Sequence, residues 1–80
     1  MNTTTQLYNV VAKALDIPTE IINDQLAYQG VAEWDSMSHL ILVQELESTY
    51  KISISMEDVL EMNNVLKIKD ILKKNGVKIV

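Results

Sequence analysis

The middle of the chain, residues 34–50, reads WDSMSHLILVQELESTY and has the periodicity of an α-helix with two distinct faces. We expect the helix to begin at Asp35, because an aspartate carboxylate accepts the free N–H groups of a first helical turn. At about 100° per residue, one face carries His39, Leu42, Val43, Leu46 and Tyr50. The opposite face carries Met37, Leu40, Ile41, Gln44 and Ser48. The first face is assigned to the core.

Upstream of this helix, the sequence predicts one more helix and a long loop. Apolar residues recur at i, i+3, i+4, i+7 and i+8 from Leu7 to Leu15, which indicates an amphipathic helix. Pro18 is expected to end it, because proline lacks an N–H and disfavours helix in the preceding residue. Residues 16–34 show no sustained period, and we interpret them as a loop anchored by Ile21, Ile22, Leu26 and Tyr28.

Downstream, the sequence predicts two further helices. A short third helix starts at Ser55 and extends to about Met62, and a fourth begins at Val65 and ends at Asn75-Gly76. Residues 51–54 alternate like a strand, but no second strand is predicted to pair with them, so they are interpreted as a connector. The predicted fold class is all-α, a four-helix bundle with a long first loop and a short third helix.

Composition limits the classes of function. The chain has 80 residues, 48% of them hydrophobic and 22% charged, which predicts one globular domain over residues 1–80. With no cysteine and one histidine, neither a disulfide nor a multi-histidine or thiolate metal site is expected, so no metal is assigned. No apolar run approaches the roughly 18 residues needed to span a bilayer. With no secretory signal at the N-terminus, a cytoplasmic protein without a membrane partner is expected.

The charge is unevenly distributed. Residues 16–61 hold ten acidic residues and one lysine, whereas residues 62–80 hold five lysines and one aspartate. An acidic middle repels nucleic acid, which is not expected as a partner, and steers a basic partner protein toward it. The alternative is that these acids only solvate the outer faces of helices.

Two features of the second helix suggest a site near its start. Met37, Leu40 and Ile41 form an apolar cluster on the outer face, and such clusters usually mark a partner surface unless neighbouring elements bury them. Ser36 places a hydroxyl at a helix N-terminus, where free N–H groups and the helix dipole favour an attached phosphate. Alternatively, Ser36 is simply a serine next to a cap. A hydrolase triad of Asp35, Ser36 and His39 is rejected because all three lie within one turn, and His39 is interpreted as a packing residue.

The runs WDSMSHL (34–40), VQELE (43–47) and ISI (52–54) resemble the acyl carrier protein family, and the likeness extends over essentially the whole chain. The resemblance implies a bundle of the acyl-carrier type in which Ser36 bears a 4′-phosphopantetheine arm and Asp35 caps the helix. It also implies a Mg²⁺-dependent phosphopantetheinyl transferase that supplies the arm from coenzyme A. Acyl- or aminoacyl-loading and transfer enzymes are the other partners implied. The arm's thiol would hold the cargo as a thioester, so the chain itself is expected to be a monomeric, non-catalytic carrier.

Departures from the family pattern favour a specialised biosynthetic pathway. Met37 stands where the family most often has leucine. Carriers of fatty-acid synthesis have acids at several positions on this helix, whereas this chain has apolar or neutral groups at Ser38, Ile41, Gln44 and Ser48. The alternatives are the housekeeping carrier of fatty-acid synthesis and a helical interaction module that lacks the arm. The predicted partner surface comprises Met37, Leu40, Ile41, Gln44, Glu45, Glu47, Glu57 and Asp58.

The resemblance also bears on the cargo. Relatives that carry long fatty chains enclose them between the second and third helices, with alanine at the positions of Val59 and Ile68. The expected lining here would be completed by Tyr28, Val43, Leu46, Ile54, Met62 and Ile71. Because larger side chains fill the space that a long chain would need, we expect short or polar cargo on an arm that lies mostly outside the bundle.

Overall fold

The computed structural model of the protein describes residues 3–79 and confirms the all-α architecture. Its helices are α1 (Thr3–Leu15), α2 (Ser36–Tyr50), α3 (Met56–Glu61) and α4 (Val65–Lys74). Within the described range no strand is formed, and residues 51–54 are a connector, as predicted. An additional short 3₁₀ helix, Thr19–Ile21, lies in the long first loop. No helix in this range combines the length and the apolar character that crossing a membrane requires.

Three helices begin with an N-cap residue whose side chain accepts a backbone hydrogen bond. Asp35, Ser55 and Asn64 each have extended backbone angles and precede α2, α3 and α4. The side-chain oxygen of each accepts the N–H of the residue three positions later, at distances of 2.9, 3.2 and 2.7 Å. Each cap thereby satisfies an N–H that has no partner within its own helix. The predicted start of α2 is confirmed.

Three helices also end alike, in a left-handed residue. Asp16, Lys51 and Gly76 follow α1, α2 and α4 with φ values of 58°, 55° and 87°. After each, the next N–H donates to a carbonyl five residues back, at 3.0, 3.2 and 2.9 Å, which is the Schellman arrangement. The end of α1 is therefore set by Asp16, and Pro18 only precedes the 3₁₀ helix.

The core lies between α1 and α2, which pack against each other, and is closed by α3 and α4. Leu42, Val43 and Leu46 on the predicted inner face of α2 are buried, whereas all five residues of the outer face are exposed. The prediction of two faces is confirmed. The largest fully buried side chains are Trp34, Leu7, Leu42, Leu46, Met62, Ile68, Leu72, Val11 and Val65.

The long first loop is fastened to the start of α4. Leu26 and Asp24 accept the N–H groups of Val65 and Leu66 through their carbonyl oxygens, and Tyr28 donates its N–H to the Asn63 carbonyl at 2.9 Å. Of the four predicted anchors, Ile22 is buried and Leu26 and Tyr28 are half-buried. Ile21 was wrongly predicted, because it lies in the 3₁₀ helix with its side chain exposed.

A cluster of three side chains fastens the same loop to α1. Asp24 receives the Lys69 ammonium at 2.7 Å and the Tyr8 hydroxyl at 2.8 Å, and the Lys69 ammonium also lies 5.4 Å from the centre of the Tyr8 ring. These bonds, first Lys69 and then Tyr8, lower the pKa of the Asp24 carboxyl, and the Asp24 carboxylate raises the pKa of Lys69. The loop that precedes Ser36 is thus bonded to both α1 and α4.

Candidate functional site

Ser36 is the first residue of α2, and its side chain is exposed. The Asp35 carboxylate beside it accepts the N–H of Ser38, and bonds from the Ser38 backbone and side chain lower the pKa of Asp35. Asp35 therefore stays ionised and holds the first turn in place. An anionic phosphate ester on Ser36 would lie at the positive end of the helix dipole, so the position suits a phosphopantetheine arm.

The Ser36 hydroxyl contacts Tyr28. The two side-chain oxygens are 2.8 Å apart, and either can be the donor. The Tyr28 ring meets the rings of His39 and Trp34 edge-on, with centroids 5.5 and 6.5 Å away. Sequence reasoning placed Tyr28 in the loop and in the cargo lining but missed its contact with Ser36, because that contact depends on the turn between them.

His39 connects three elements at the base of the site. The indole N–H of Trp34 donates to His39 Nδ1 at 3.0 Å, and since an indole N–H can only donate, Nδ1 must accept. The proton therefore sits on Nε2, which donates to the Val59 carbonyl of α3 at 2.8 Å. Both ring nitrogens of His39 are thus engaged in hydrogen bonds that join the loop and α3 to α2.

A cavity of about 290 Å³ opens beside Ser36 between the start of α2 and α3. Nine residues line it: Tyr28, Ser36, His39, Leu40, Met56, Val59, Leu60, Met62 and Asn63. Of the residues expected to line a cargo cavity, Tyr28, Val59 and Met62 do so. The other expected residues do not line this cavity but lie in the buried core: Val43, Leu46, Ile54, Ile68 and Ile71.

The surface around this cavity is apolar. Met37 is 73% exposed, and Leu40 and Ile41 are exposed as well. On α3, Met56 and Leu60 are 69% and 76% exposed, and with Leu40 they form an apolar rim at the cavity. Sequence analysis did not single out Met56 and Leu60, although their spacing of four residues on a short helix with Val59 inside was the available signal.

The acidic residues of the predicted partner surface differ in their surroundings. Glu57 is exposed, and Glu45 and Glu47 are half-buried. Glu47 also has a structural contact, because its carboxylate accepts the N–H of Ile54 at 2.8 Å.

The prediction that Asp58 belongs to the partner surface is wrong. Only 6% of the residue is exposed, and its carboxylate oxygens receive the Lys74 ammonium of α4 at 3.1 and 3.3 Å. An aspartate in the first turn of α3 with this partner joins α3 to α4, so it is not available to a docking enzyme. Across residues 3–79, no group of three or more acidic, histidine or cysteine side chains could hold a metal ion.

Comparisons with known proteins identify the class. Residues 5–72 match the family described as the phosphopantetheine attachment site. The structure is similar to that of the holo acyl carrier protein from Geobacter metallireducens, with a TM-score of 0.81 and 25% identity over 95% of this chain and 87% of that one. The comparison with curated proteins found no match.

The chain is therefore a carrier protein, and it belongs to the phosphopantetheine attachment-site family. Its fold is that of an acyl carrier protein, and its cofactor is 4′-phosphopantetheine, covalently attached. Its general partners follow from this class: a phosphopantetheinyl transferase and enzymes that handle acyl groups.

Proposed function

We propose that Ser36 carries the arm, and that the protein is a discrete carrier which holds an acyl or aminoacyl group as a thioester. The observation that carries this proposal is the exposed Ser36 hydroxyl at the N-terminus of α2, directly beside the cavity. The nearest alternative hydroxyl in sequence, Ser38, is half-buried and takes part in the Asp35 cap. Ser55 accepts an N–H as the cap of α3.

The test is the intact mass after incubation with coenzyme A and a broad-specificity phosphopantetheinyl transferase. The natural chain and the control variant Ser38→Ala should each gain the mass of one arm, whereas Ser36→Ala should gain none. A gain that survives Ser36→Ala would contradict the assignment of the residue. No gain in the natural chain would favour the interaction module without an arm.

The outer face of α2 supports a specialised pathway over housekeeping fatty-acid synthesis. Three exposed apolar residues and Gln44 lie there, and Met56 and Leu60 extend the apolar surface onto α3. Docking on such a surface depends little on ion pairs, which salt screens over about 8–10 Å. The discriminating experiment is loading by fatty-acid enzymes at low and high salt: a specialised carrier should be a poor substrate at both salt concentrations. Efficient, salt-sensitive loading would indicate the housekeeping carrier.

Of the short or polar cargo expected from the sequence, the packing around the cavity supports the short kind. Val59 and Met62 line it, while Ile68 and the core residues of α2 are buried apart from it. A long saturated chain would have to push into packed core, and forcing extra volume into a packed interior costs about 1–3 kcal/mol for each change. We infer that the arm and its cargo lie along the apolar rim instead.

A further inference from the structure

We propose that the Tyr28 hydroxyl holds the phosphodiester of the arm and thereby directs the arm along the cavity. This inference rests on Ser36 being the attachment residue. Tyr28 would be a positioning residue, bound to a phosphate oxygen that modification places next to its hydroxyl.

The geometry places the donor where the phosphate must be. Tyr28 Oη lies 2.8 Å from Ser36 Oγ, the atom that would become the ester oxygen. After modification that oxygen has no proton to donate, whereas the adjacent phosphate oxygens carry the negative charge. A hydroxyl within reach gains a charge-assisted hydrogen bond, which is roughly twice as strong as a neutral one.

The structure holds Tyr28 in this position from two sides. Its N–H donates to the Asn63 carbonyl, and the neighbouring residue Ala27 forms a bridge with Asn64 at the start of α4. Its ring packs edge-on against His39, which is itself fastened to Trp34 and to α3. The hydroxyl is therefore preorganised and does not have to be recruited from solvent, which lowers the entropic cost of binding the phosphate.

The same residue lines the cavity, so a phosphate bound to it would set the direction of the arm. With its phosphodiester fixed at Tyr28, the arm leaves Ser36 toward the apolar rim of Leu40, Met56 and Leu60. Without this contact, the arm would rotate freely about the ester at an exposed helix end.

The test compares apo and holo forms of the natural chain, Tyr28→Phe and Tyr50→Phe. The control is matched, because Tyr50 ends α2 and its buried hydroxyl has no hydrogen-bond partner within the described residues. Intact mass first establishes that each protein carries one arm. Thermal melting then gives the holo-minus-apo shift of the midpoint, and ³¹P NMR reports the environment of the phosphodiester.

We expect the holo-minus-apo shift to be lower in Tyr28→Phe than in the natural chain by roughly 4 °C, the size that one net hydrogen bond gives in a small domain. The ³¹P resonance should move in Tyr28→Phe and stay in place in Tyr50→Phe. Equal midpoint shifts and an unmoved ³¹P resonance in fully modified Tyr28→Phe would overturn the role of Tyr28 and leave Ser36 as the attachment residue. Absence of the mass gain in the natural chain would overturn both proposals.

Discussion

At the scale of single residues, His39 joins three parts of the site through its two ring nitrogens. It accepts from the buried Trp34 indole and donates to a carbonyl of α3, so the loop, α2 and α3 meet at one imidazole. The two rings are also stacked, with centroids 6.2 Å apart. The cavity next to Ser36 depends on this junction, because His39 and Val59 are both part of its wall.

Replacing His39 with leucine should destabilise the domain by about 1–3 kcal/mol, because the Trp34 N–H would remain buried without a partner. Denaturant unfolding measures this free energy. The control is Leu40→Gln on the exposed neighbouring position, which should stay within about ±0.5 kcal/mol. Equal stability of His39→Leu and the natural chain would show that the indole N–H finds another acceptor.

Residue-scale predictions from sequence succeeded where the interaction is local. The Asp35 cap involves a residue three positions away, so its geometry follows from the helix start alone. The contact of Tyr28 with Ser36 spans eight residues and a turn, and the pairing of Asp58 with Lys74 spans sixteen and links two helices. Neither contact can be predicted from the periodicity of the sequence, because each forms only when the elements pack together.

At the scale of elements, the two faces of α2 differ in their surroundings: the inner face packs in the core, and the outer face is exposed. Leu46 is completely buried, and Ile41 is 44% exposed on the outer face near the cavity. The apolar outer face is thus not needed to close the core. If Ser36 bears the arm, as proposed, this face is the surface that an enzyme acting on the arm would approach.

Ile41→Glu should therefore impair use by partner enzymes while changing the free energy of unfolding by no more than about 0.5 kcal/mol. Leu46→Ala is the matched change on the inner face and should cost about 2–5 kcal/mol. Denaturant midpoints and loading rates measure the two effects separately. If Ile41→Glu unfolds the domain as readily as Leu46→Ala, the division into two faces fails.

The bonds of Asp24 and Asp35 should make the stability of the folded domain depend on pH in the acidic range. The pKa of Asp24 is lowered in the folded protein by Lys69 and Tyr8, and that of Asp35 by its cap bonds. Folding therefore favours the ionised forms, and their contribution is present above the ordinary aspartate pKa of about 4 and is lost as pH falls below it. Melting midpoints should be flat near neutrality and decline in acid.

The variant Asp24→Asn should lower the midpoint near neutral pH and flatten this acid decline. The control Asp70→Asn, an exposed position on α4, should leave both unchanged. An acid decline in Asp24→Asn as steep as in the natural chain would exclude the Asp24 cluster as its source.

At the scale of the whole molecule, the cavity lies at the edge of the core, where the buried residues Val59 and Met62 meet the exposed side chains of the apolar rim. The other helices cover only the inner face of α2, where Leu42 and Leu46 are fully buried, and the cavity lies next to Ser36. The fold class and the helix order could be predicted, because apolar periodicity and cap residues specify each helix. The extent of the cavity could not be predicted from the sequence. Val43 and Ile71 were predicted to lie in the same interior as Val59, and only the packing of the helices decides which of them lines the cavity.

Loading with a medium-length saturated chain should raise the melting midpoint of the holo protein by less than about 4 °C, since little of the chain is buried. The variant Val59→Ala shortens a side chain that lines the cavity and thereby enlarges the cavity. Its melting midpoint should rise more on loading than that of the natural chain. A large rise in the natural chain would mean that the acyl group enters the bundle, and would favour the fatty-acid carrier.

Peptide mapping of the holo protein can locate the arm and so test whether it is joined to Ser36. Trypsin cuts after Lys13 and Lys51, so one peptide of residues 14–51 contains Ser36 together with the other serine and threonine hydroxyls of that stretch: Thr19, Ser38, Ser48 and Thr49. Fragmentation of that peptide should locate the mass of one phosphopantetheine on Ser36. The added mass on any other hydroxyl, or on another peptide, would contradict the attachment to Ser36.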